Sequence, residues 1–136
     1  IFLNVLHSEY TANKYGAVST GNAIRTATRE PYIDYTNLIV KPGKHSLDSL
    51  VENVGKGILL KDFTGDVDPS SGYFNGRGEG FYIENGEIQF YCRNLHVQGN
   101  GFELLREVEL VGREEECTRE GVYAVPLLTS KIMVVS

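Results

Sequence analysis

The residues of this chain that could carry chemistry are three histidines and two cysteines, and they are scattered. His7, His45 and His96 lie far apart in the sequence, and Cys92 and Cys117 do not form a C-x-x-C pair. A catalytic zinc site needs about three protein ligands around one ion, with a position left open for water. The spacing of these side chains therefore predicts no complete metal site. Hydrogen-bonded or surface roles are the alternative for each histidine.

Two further side chains are candidates for binding. Arg25 follows the small, polar run around Gly21 and Asn22, where its guanidinium could bind a carboxylate with two parallel hydrogen bonds. A solvated or ion-paired arginine is the alternative. Cys117 follows three consecutive glutamates and joins no apolar pattern, so the residues alone indicate a loop thiol without an assigned role. Asp66 and Asp68 lack the glycine and the distal glutamate of an EF-hand calcium loop.

Gly76, Gly78 and Gly80 occupy alternate positions ahead of a strand-like run. A dinucleotide-binding glycine motif would be followed by a helix, so this pattern is not one. Alternate glycines in a strand mark a place where a ligand or another backbone approaches closely. We expect these three glycines to bind an extended substrate by pairing their backbone along an exposed edge.

The clearest structural signal is the hairpin over residues 79–92, with Asn85 and Gly86 at its tip. These two residue types supply the positive φ angles that a tight type I′ turn requires. A regular hairpin with this loop places one apolar set inward and, if the strand continues without irregularity, His96 on the same side. The expected cross-strand pairs are Glu84 with Glu87, Ile83 with Ile88, Tyr82 with Gln89, Phe81 with Phe90, and Glu79 with Cys92. The expected inward residues are Phe81, Ile83, Ile88, Phe90 and Cys92.

The remaining pattern predicts short helices between strands. Ser8 caps a helix over residues 9–15, Ser46 caps one that ends near residue 54, and Asn100 with Glu103 resembles a capping box for residues 102–108. The fold class is therefore predicted as α+β and β-rich, with an antiparallel sheet or partly closed barrel and two or three short helices. The length of 136 residues fits a single domain, residues 1–136.

The amino-acid composition limits the classes of partner and the cellular location that are expected. The net charge is -5, from 13 basic and 18 acidic residues, which argues against nucleic acid as a partner. No apolar run reaches the ~20 residues that a transmembrane helix needs, so no membrane association is expected. Two cysteines do not form a disulfide framework, which indicates a reducing, cytoplasmic location; a disulfide between Cys92 and Cys117 is the alternative. The chain begins at Ile1 without a methionine and ends on an apolar run, so we expect it to be cut from something larger.

Several phrases, in this order, together resemble one family, the TldD/PmbA proteins, which are metallopeptidases and metal-free relatives long labelled modulators of DNA gyrase. The resemblance runs the length of the chain and corresponds to the C-terminal, β-rich half of such proteins. The phrases are L-H-S from Leu6, S-T-G-N-A-I-R from Ser19, T-N-L-I-V-K-P-G from Thr36, G-K-G-I-L-L from Gly55, V-D-P-S-S-G-Y-F from Val67, G-F-Y-I-E-N-G-E-I from Gly80, and the L-V-G that precedes Cys117.

The resemblance assigns Cys117 a role. In the metallopeptidase branch a helix in the N-terminal half carries H-E-x-x-x-H, and the third zinc ligand is a cysteine in a phrase of the type C-G-K-x-G-Q-x-x-P. The stretch from Cys117 to Pro126 is similar in its cysteine, Arg119, Gly121 and the later proline. It departs at Thr118, at Val122 and by one extra residue before Pro126. The N-terminal metal-binding half has no counterpart here.

The implied function is that of the C-terminal domain of a TldD-like zinc metallopeptidase. Cys117 would be a zinc ligand, and Gly76, Gly78, Gly80 and Arg25 would bind unfolded or small modified peptides. No catalytic residue is expected in this chain, and no zinc is expected on the fragment alone, which would be inactive. The alternative is a metal-free, PmbA-like binding and assembly subunit. Implied partners are the missing N-terminal domain and a second family member, in a homodimer or heterodimer.

Overall fold

The computed structural model describes residues 4–119, 121–130 and 132–135, with the side chains of 117–119 excepted. The chain divides into two compact units. Unit 1 comprises Ile1–Ile39 and Cys117–Tyr123, and unit 2 comprises Val40–Glu116 and Ala124–Ser136.

Three short helices and eleven strands are present in the described part of the chain. In chain order they are α1 (Glu9–Tyr15), β1 (Ala23–Ile24), β2 (Tyr32–Ile33), β3 (Leu38–Ile39), α2 (Leu47–Glu52), β4 (Lys56–Val67), β5 (Tyr73–Glu84), β6 (Glu87–Asn100), α3 (Gly101–Arg106), β7 (Val108–Val111), β8 (Glu116–Arg119), β9 (Val122–Ala124), β10 (Leu127–Thr129) and β11 (Ile132–Val135).

Unit 1 is built from local signals that the sequence shows. Helix α1 begins after Ser8, whose side-chain oxygen accepts a hydrogen bond from the Thr11 backbone N–H, while Thr11 Oγ1 accepts one from the Ser8 N–H. This reciprocal capping satisfies N–H groups that have no partner inside the helix. The expected helix over residues 9–15 is confirmed. Strands β1 and β2 pair antiparallel, whereas β3 pairs parallel with β9, which also lies beside β8.

Unit 2 is organised on a four-stranded antiparallel sheet with the strand order β11-β6-β5-β4. Helix α2 begins after Ser46, whose side chain accepts a hydrogen bond from the Ser49 N–H, and β7 pairs with β10 in a second small sheet. The buried apolar residues of unit 2 come from α2, the long strands and the segment before β10. They are Leu50, Val51, Ile83, Leu95, Val97 and Val125.

The hairpin of β5 and β6 has the expected turn. Asn85 and Gly86 have φ angles of 52° and 78°, as a type I′ turn needs, and Ile83 lies opposite Ile88 as expected. Beyond that pair the register shifts by one residue, because β6 carries a bulge. The expected pairs of Tyr82, Phe81 and Glu79 are therefore wrong. The observed pairs are Tyr82 with Phe90, Phe81 with Tyr91, and Gly80 with Cys92.

The bulge also moves Phe90 to the face opposite that of Ile83, whereas Ile88 keeps its expected place opposite Ile83 and is exposed all the same. Ile83 is 2% exposed, as the pattern predicts, but Ile88 and Phe90 are 49% and 60% exposed. Phe90 instead stacks on Tyr82 with ring centroids 5.1 Å apart. The expected inward face of the hairpin is thus correct at Ile83 and wrong at Ile88 and Phe90.

A second bulge lies further along β6. Gly80 pairs with Cys92 and Gly78 with Leu95, so two steps on β5 match three on β6. Asn94 occupies the extra position with a φ of 56°, a conformation that asparagine tolerates better than most residues. The alternation of faces is inverted beyond it, which buries Leu95 and exposes His96. The expectation of an inward His96 is wrong for this reason.

The predicted fold class is confirmed. The described chain is β-rich α+β, with antiparallel sheets, three short helices and no closed barrel. The one parallel strand pair among the described elements is β3 with β9. No helix in the described ranges is long and apolar enough to cross a membrane.

Candidate functional site

The phrase that contains Cys117 forms β8 and β9, and β9 lies between β8 and β3. The backbone of Cys117 lies within β8, but its side chain is outside the described residues, as are all atoms of Glu120. The assignment of Cys117 as a metal ligand therefore stays a prediction. The parallel pairing of Leu38 with Val122 and of Ile39 with Tyr123 joins the T-N-L-I phrase to the cysteine phrase.

Gly121 is the point where these two phrases meet most closely. The Leu38 N–H donates a hydrogen bond of 2.7 Å to the Gly121 carbonyl oxygen. Gly121 has a φ of 73°, which is unfavourable for residues with a side chain. A Cβ atom there would lie 2.7 Å from the Thr36 carbonyl oxygen. Glycine is thus required both by the backbone conformation and by the close approach of the segment before β3.

The histidines do not converge. His7 donates its backbone N–H to Thr20 Oγ1 at 2.7 Å, and its Nδ1 lies 3.3 Å from Thr11 Oγ1, so it joins the polar loop to the start of α1. The backbone of His45 forms an isolated bridge with Gly112 and accepts a hydrogen bond from the Arg113 N–H. His96 is exposed on β6 opposite Arg77. Within the described ranges no three His, Cys, Asp or Glu side chains are grouped to hold a metal ion.

The three alternate glycines lie in the middle of a sheet, not at its edge. β5 pairs with β4 on one side and with β6 on the other, and each of the three glycines has a partner on both. The expectation that their backbone is free to pair with a substrate strand is wrong. The other part of the reasoning, close approach of a neighbouring backbone, agrees with the structure. A Cβ atom on Gly80 would clash with the Leu59 carbonyl, and one on Gly76 with the Thr64 carbonyl.

Arg25 directly follows β1, and its side chain is exposed. It belongs to unit 1, as does Cys117, whereas the three glycines belong to unit 2. No ion pair involves Arg25 among the described side chains. Its role in holding a carboxylate remains a prediction.

Sequence reasoning missed an apolar groove in unit 2, of about 490 Å³, between the four-stranded sheet and α3. Among the described residues of its wall, only Asp68 is charged. The helical spacing of Phe102 and Leu105 is a signal that could have indicated an apolar helix face, but not that this face would line an open groove. The walls include Leu60, Phe63 and Phe74 from the sheet, and Phe102, Leu104 and Leu105 from α3.

Asp68 is held by the serines of its own turn. Its carboxylate accepts hydrogen bonds of 2.6 Å from the hydroxyls of Ser70 and Ser71, and one of 2.9 Å from the Ser70 backbone N–H. These hydrogen bonds, that of the Ser70 side chain most of all, lower the pKa of Asp68 from 3.8 to about 2. Asp68 is therefore ionised at every pH at which the protein is expected to work.

The architecture and the order of its phrases define one class of protein domain, the β-rich C-terminal domain of the TldD/PmbA proteins. The family model described as the PmbA/TldA metallopeptidase C-terminal domain matches residues 1–136, and the chain belongs to this family.

Relatives of known name agree with this assignment. The chain is 34% identical over 118 residues to a metalloprotease of Archaeoglobus fulgidus, covering 85% of this chain and 27% of the relative. It is 31% identical over 121 residues to a zinc metalloprotease TldD homolog of Saccharolobus solfataricus, covering 84% of this chain and 27% of that protein. The chain therefore spans little more than a quarter of the length of these relatives.

A solved structure supports the fold. A candidate modulator of a DNA gyrase from Thermotoga maritima superposes with a TM-score of 0.81 at 28% identity, over 96% of this chain and 30% of that one. TldE from Thermococcus kodakarensis, at 23% identity and a TM-score of 0.78, shares the fold over 96% of this chain and 31% of its own.

Proposed function

We propose that this chain is the C-terminal domain of a TldD-like zinc metallopeptidase, in which Cys117 supplies one zinc ligand. The observation that carries the proposal is the family match over residues 1–136, supported by relatives named metalloproteases at more than 30% identity. The cysteine, Arg119 and Gly121 of the ligand phrase keep their spacing in this sequence.

The residues at hand do not fit a complete zinc site. No group of three metal-binding side chains occurs among the described residues, and a single thiolate does not hold a catalytic zinc ion. The remaining ligands and the general base would come from the rest of the parent protein. When bound there, zinc would polarise a peptide carbonyl and activate a water molecule. The isolated chain would bind no zinc and would not hydrolyse peptides.

The substrate class that the proposal implies is an unfolded peptide or a small modified peptide. Arg25 is exposed and would hold a peptide carboxylate. A second family member would complete the assembly as a homodimer or heterodimer.

A second candidate follows from the ligand phrase itself. Thr118 and Val122 stand where the metallopeptidase phrase has glycine and glutamine, and one extra residue precedes Pro126. These departures favour the metal-free, PmbA-like binding subunit. The two candidates differ upstream of Ile1, since only the metallopeptidase carries an intact H-E-x-x-x-H helix in the parent reading frame.

The test compares the full-length parent protein with its Cys117→Ala and Cys92→Ala variants. Removing a direct ligand should weaken zinc affinity by roughly 100-fold or more and abolish peptide hydrolysis, whereas Cys92→Ala should change neither property much. Zinc content is measured by inductively coupled plasma mass spectrometry, and hydrolysis is measured with an unfolded fluorogenic peptide. Full zinc content and full proteolysis in Cys117→Ala would refute the proposal.

A further inference from the structure

The groove beside α3 exposes large apolar side chains at its rim. Val67, Phe102 and Leu105 are 61%, 51% and 66% exposed, although each lines the groove. Single exposed apolar residues are common, but a contiguous set around a concave surface marks a binding site. The volume of about 490 Å³ lies within the range of sites that take small ligands or a few residues of a peptide.

The walls of the groove are held by hydrogen bonds and close contacts. Asn100 Nδ2 donates to the Ser71 carbonyl oxygen at 2.8 Å, and Asn100 Oδ1 accepts from the Phe102 N–H at 2.9 Å. The Phe102 ring lies so close over Gly72 that a Cβ atom there would be 2.5 Å from Cδ2 of the ring. One asparagine thus joins the Asp68 turn to the start of α3.

Among the described residues that line the groove, the charged one is the acidic Asp68. The hydrogen bonds of the Asp68 carboxylate come from Ser70 and Ser71, so no described cation neutralises it. The exposed chain neighbours of the groove residues carry both signs, Asp66 and Glu103 against Lys61, so the charge assigned to the groove is that of Asp68. Arg106, in the last turn of α3, is the basic residue of that helix. An apolar ligand that carries a positive charge complements such a rim.

We propose that this groove binds a peptide segment in which a bulky apolar side chain is followed by a lysine or arginine. The apolar side chain enters between the sheet and α3, and the cation lies against the Asp68 carboxylate. The inference rests on the proposed function only in taking the ligand to be a peptide. It adds a preference for apolar residues flanked by basic ones, at a place distinct from Cys117 in the chain.

The experiment measures fluorescence anisotropy of a dye-labelled peptide Ser-Gly-Phe-Leu-Lys-Ser-Gly added to the full-length parent protein. Leu105→Ser should weaken binding about tenfold, because it removes an apolar side chain from the groove wall. Asp68→Asn should weaken binding roughly threefold and reduce its dependence on salt, since it deletes one exposed charge. A peptide with glutamate in place of its lysine should bind the unaltered protein more weakly than the lysine peptide does.

The control is Ile88→Ser, because Ile88 is 49% exposed on the same sheet but does not line the groove. This variant should bind the peptide as the unaltered protein does. The proposal would be overturned if no binding occurred at millimolar peptide. It would also be overturned if Leu105→Ser and Asp68→Asn bound the peptide as tightly as the unaltered protein does. A Leu105→Cys variant that resists alkylation by N-ethylmaleimide would also overturn it, because another part of the parent or a second copy would then cover the groove.

The measurement is made on the Cys117→Ala background, so that cleavage does not remove the peptide. It also separates the two proposals. If the peptide does not bind in the groove but Cys117→Ala still lowers the zinc content, only the peptide site is refuted. Groove binding that persists while Cys117→Ala retains full zinc and proteolysis refutes only the metallopeptidase assignment.

Discussion

At the scale of single residues, hydrogen bonds and backbone conformation decide more than residue type does. Asp68 was visible in the sequence as an acidic turn residue, but only the structure shows the two serine hydrogen bonds that lower its pKa to about 2. Gly121 stood in the sequence as one position of a family phrase. In the structure it is the glycine that lets the segment before β3 approach the turn between β8 and β9.

The ionisation of Asp68 predicts a change at low pH. Its pKa in the folded protein is about 2, below the ordinary 3.8, so its hydrogen bonds favour folding above pH 3.8 and this contribution is lost as the pH falls toward 2. Carboxyl titration followed by carbon-13 NMR should show the low pKa in the unaltered protein. Ser70→Ala should raise the pKa of Asp68, and Ser19→Ala, in unit 1, should leave it unchanged. An ordinary pKa in the unaltered protein would contradict this account.

Two glycines with nearly equal φ angles provide a matched test of the contact at Gly121. Gly121 and Gly21 have φ angles of 73° and 72°, but only a Cβ at Gly121 would meet a neighbour, the Thr36 carbonyl oxygen at 2.7 Å. Gly21→Ala should cost about 1 kcal/mol of backbone strain. Gly121→Ala should cost about 1–3 kcal/mol more through the steric conflict. Urea unfolding measures the free energy of unfolding of both variants. Equal losses would show that the contact with the Thr36 carbonyl contributes nothing to the cost.

At the scale of elements, local signals could be predicted and irregular pairing could not. The helix cap at Ser8 and the turn at Asn85 could be predicted, because each depends on the backbone chemistry of a few neighbouring residues. The bulges of β6 depend on how two strands pair along their length. Asn94 is compatible with the bulge conformation but does not require it, so the inversion that buries Leu95 and exposes His96 was not predictable.

The central position of β5 leads to a prediction about its glycines. A Cβ atom on Gly80 would clash with the Leu59 carbonyl and lie 2.9 Å from the Leu60 Cα, and backbone atoms of a paired strand cannot move aside easily. Gly80→Ala should therefore lower the free energy of unfolding by about 2 kcal/mol or more. Gly55→Ala is the control, since nothing lies within 4 Å of its Cβ position. It should be neutral or stabilising by up to about 1 kcal/mol, and a similar loss in both would argue against close packing at Gly80.

At the scale of the whole chain, the family was predictable because its phrases are spread over the full length and occur in order. The candidate site was predictable only in part. The role of Cys117 was predicted from its phrase and stays a prediction. The groove is formed by β4, β5, β6, β11 and α3 together with the Asp68 turn, which adjoin only in the folded unit. No spacing rule connects Leu60 with Leu105 before the sheet and helix are in place. Because the chain spans little more than a quarter of its curated relatives, the peptidase prediction belongs to the parent protein.

The stripe of glycines on β5 also constrains how its neighbours can vary. At Gly78 the place of a missing Cβ lies 2.6 Å from Leu60 Cδ1 and 3.1 Å from Val97 Cγ2, so side chains from two flanking strands share one volume. A larger residue at either position leaves less room for the other. Substitutions at Leu60 and Val97 should therefore be tolerated best in pairs that keep their combined volume unchanged.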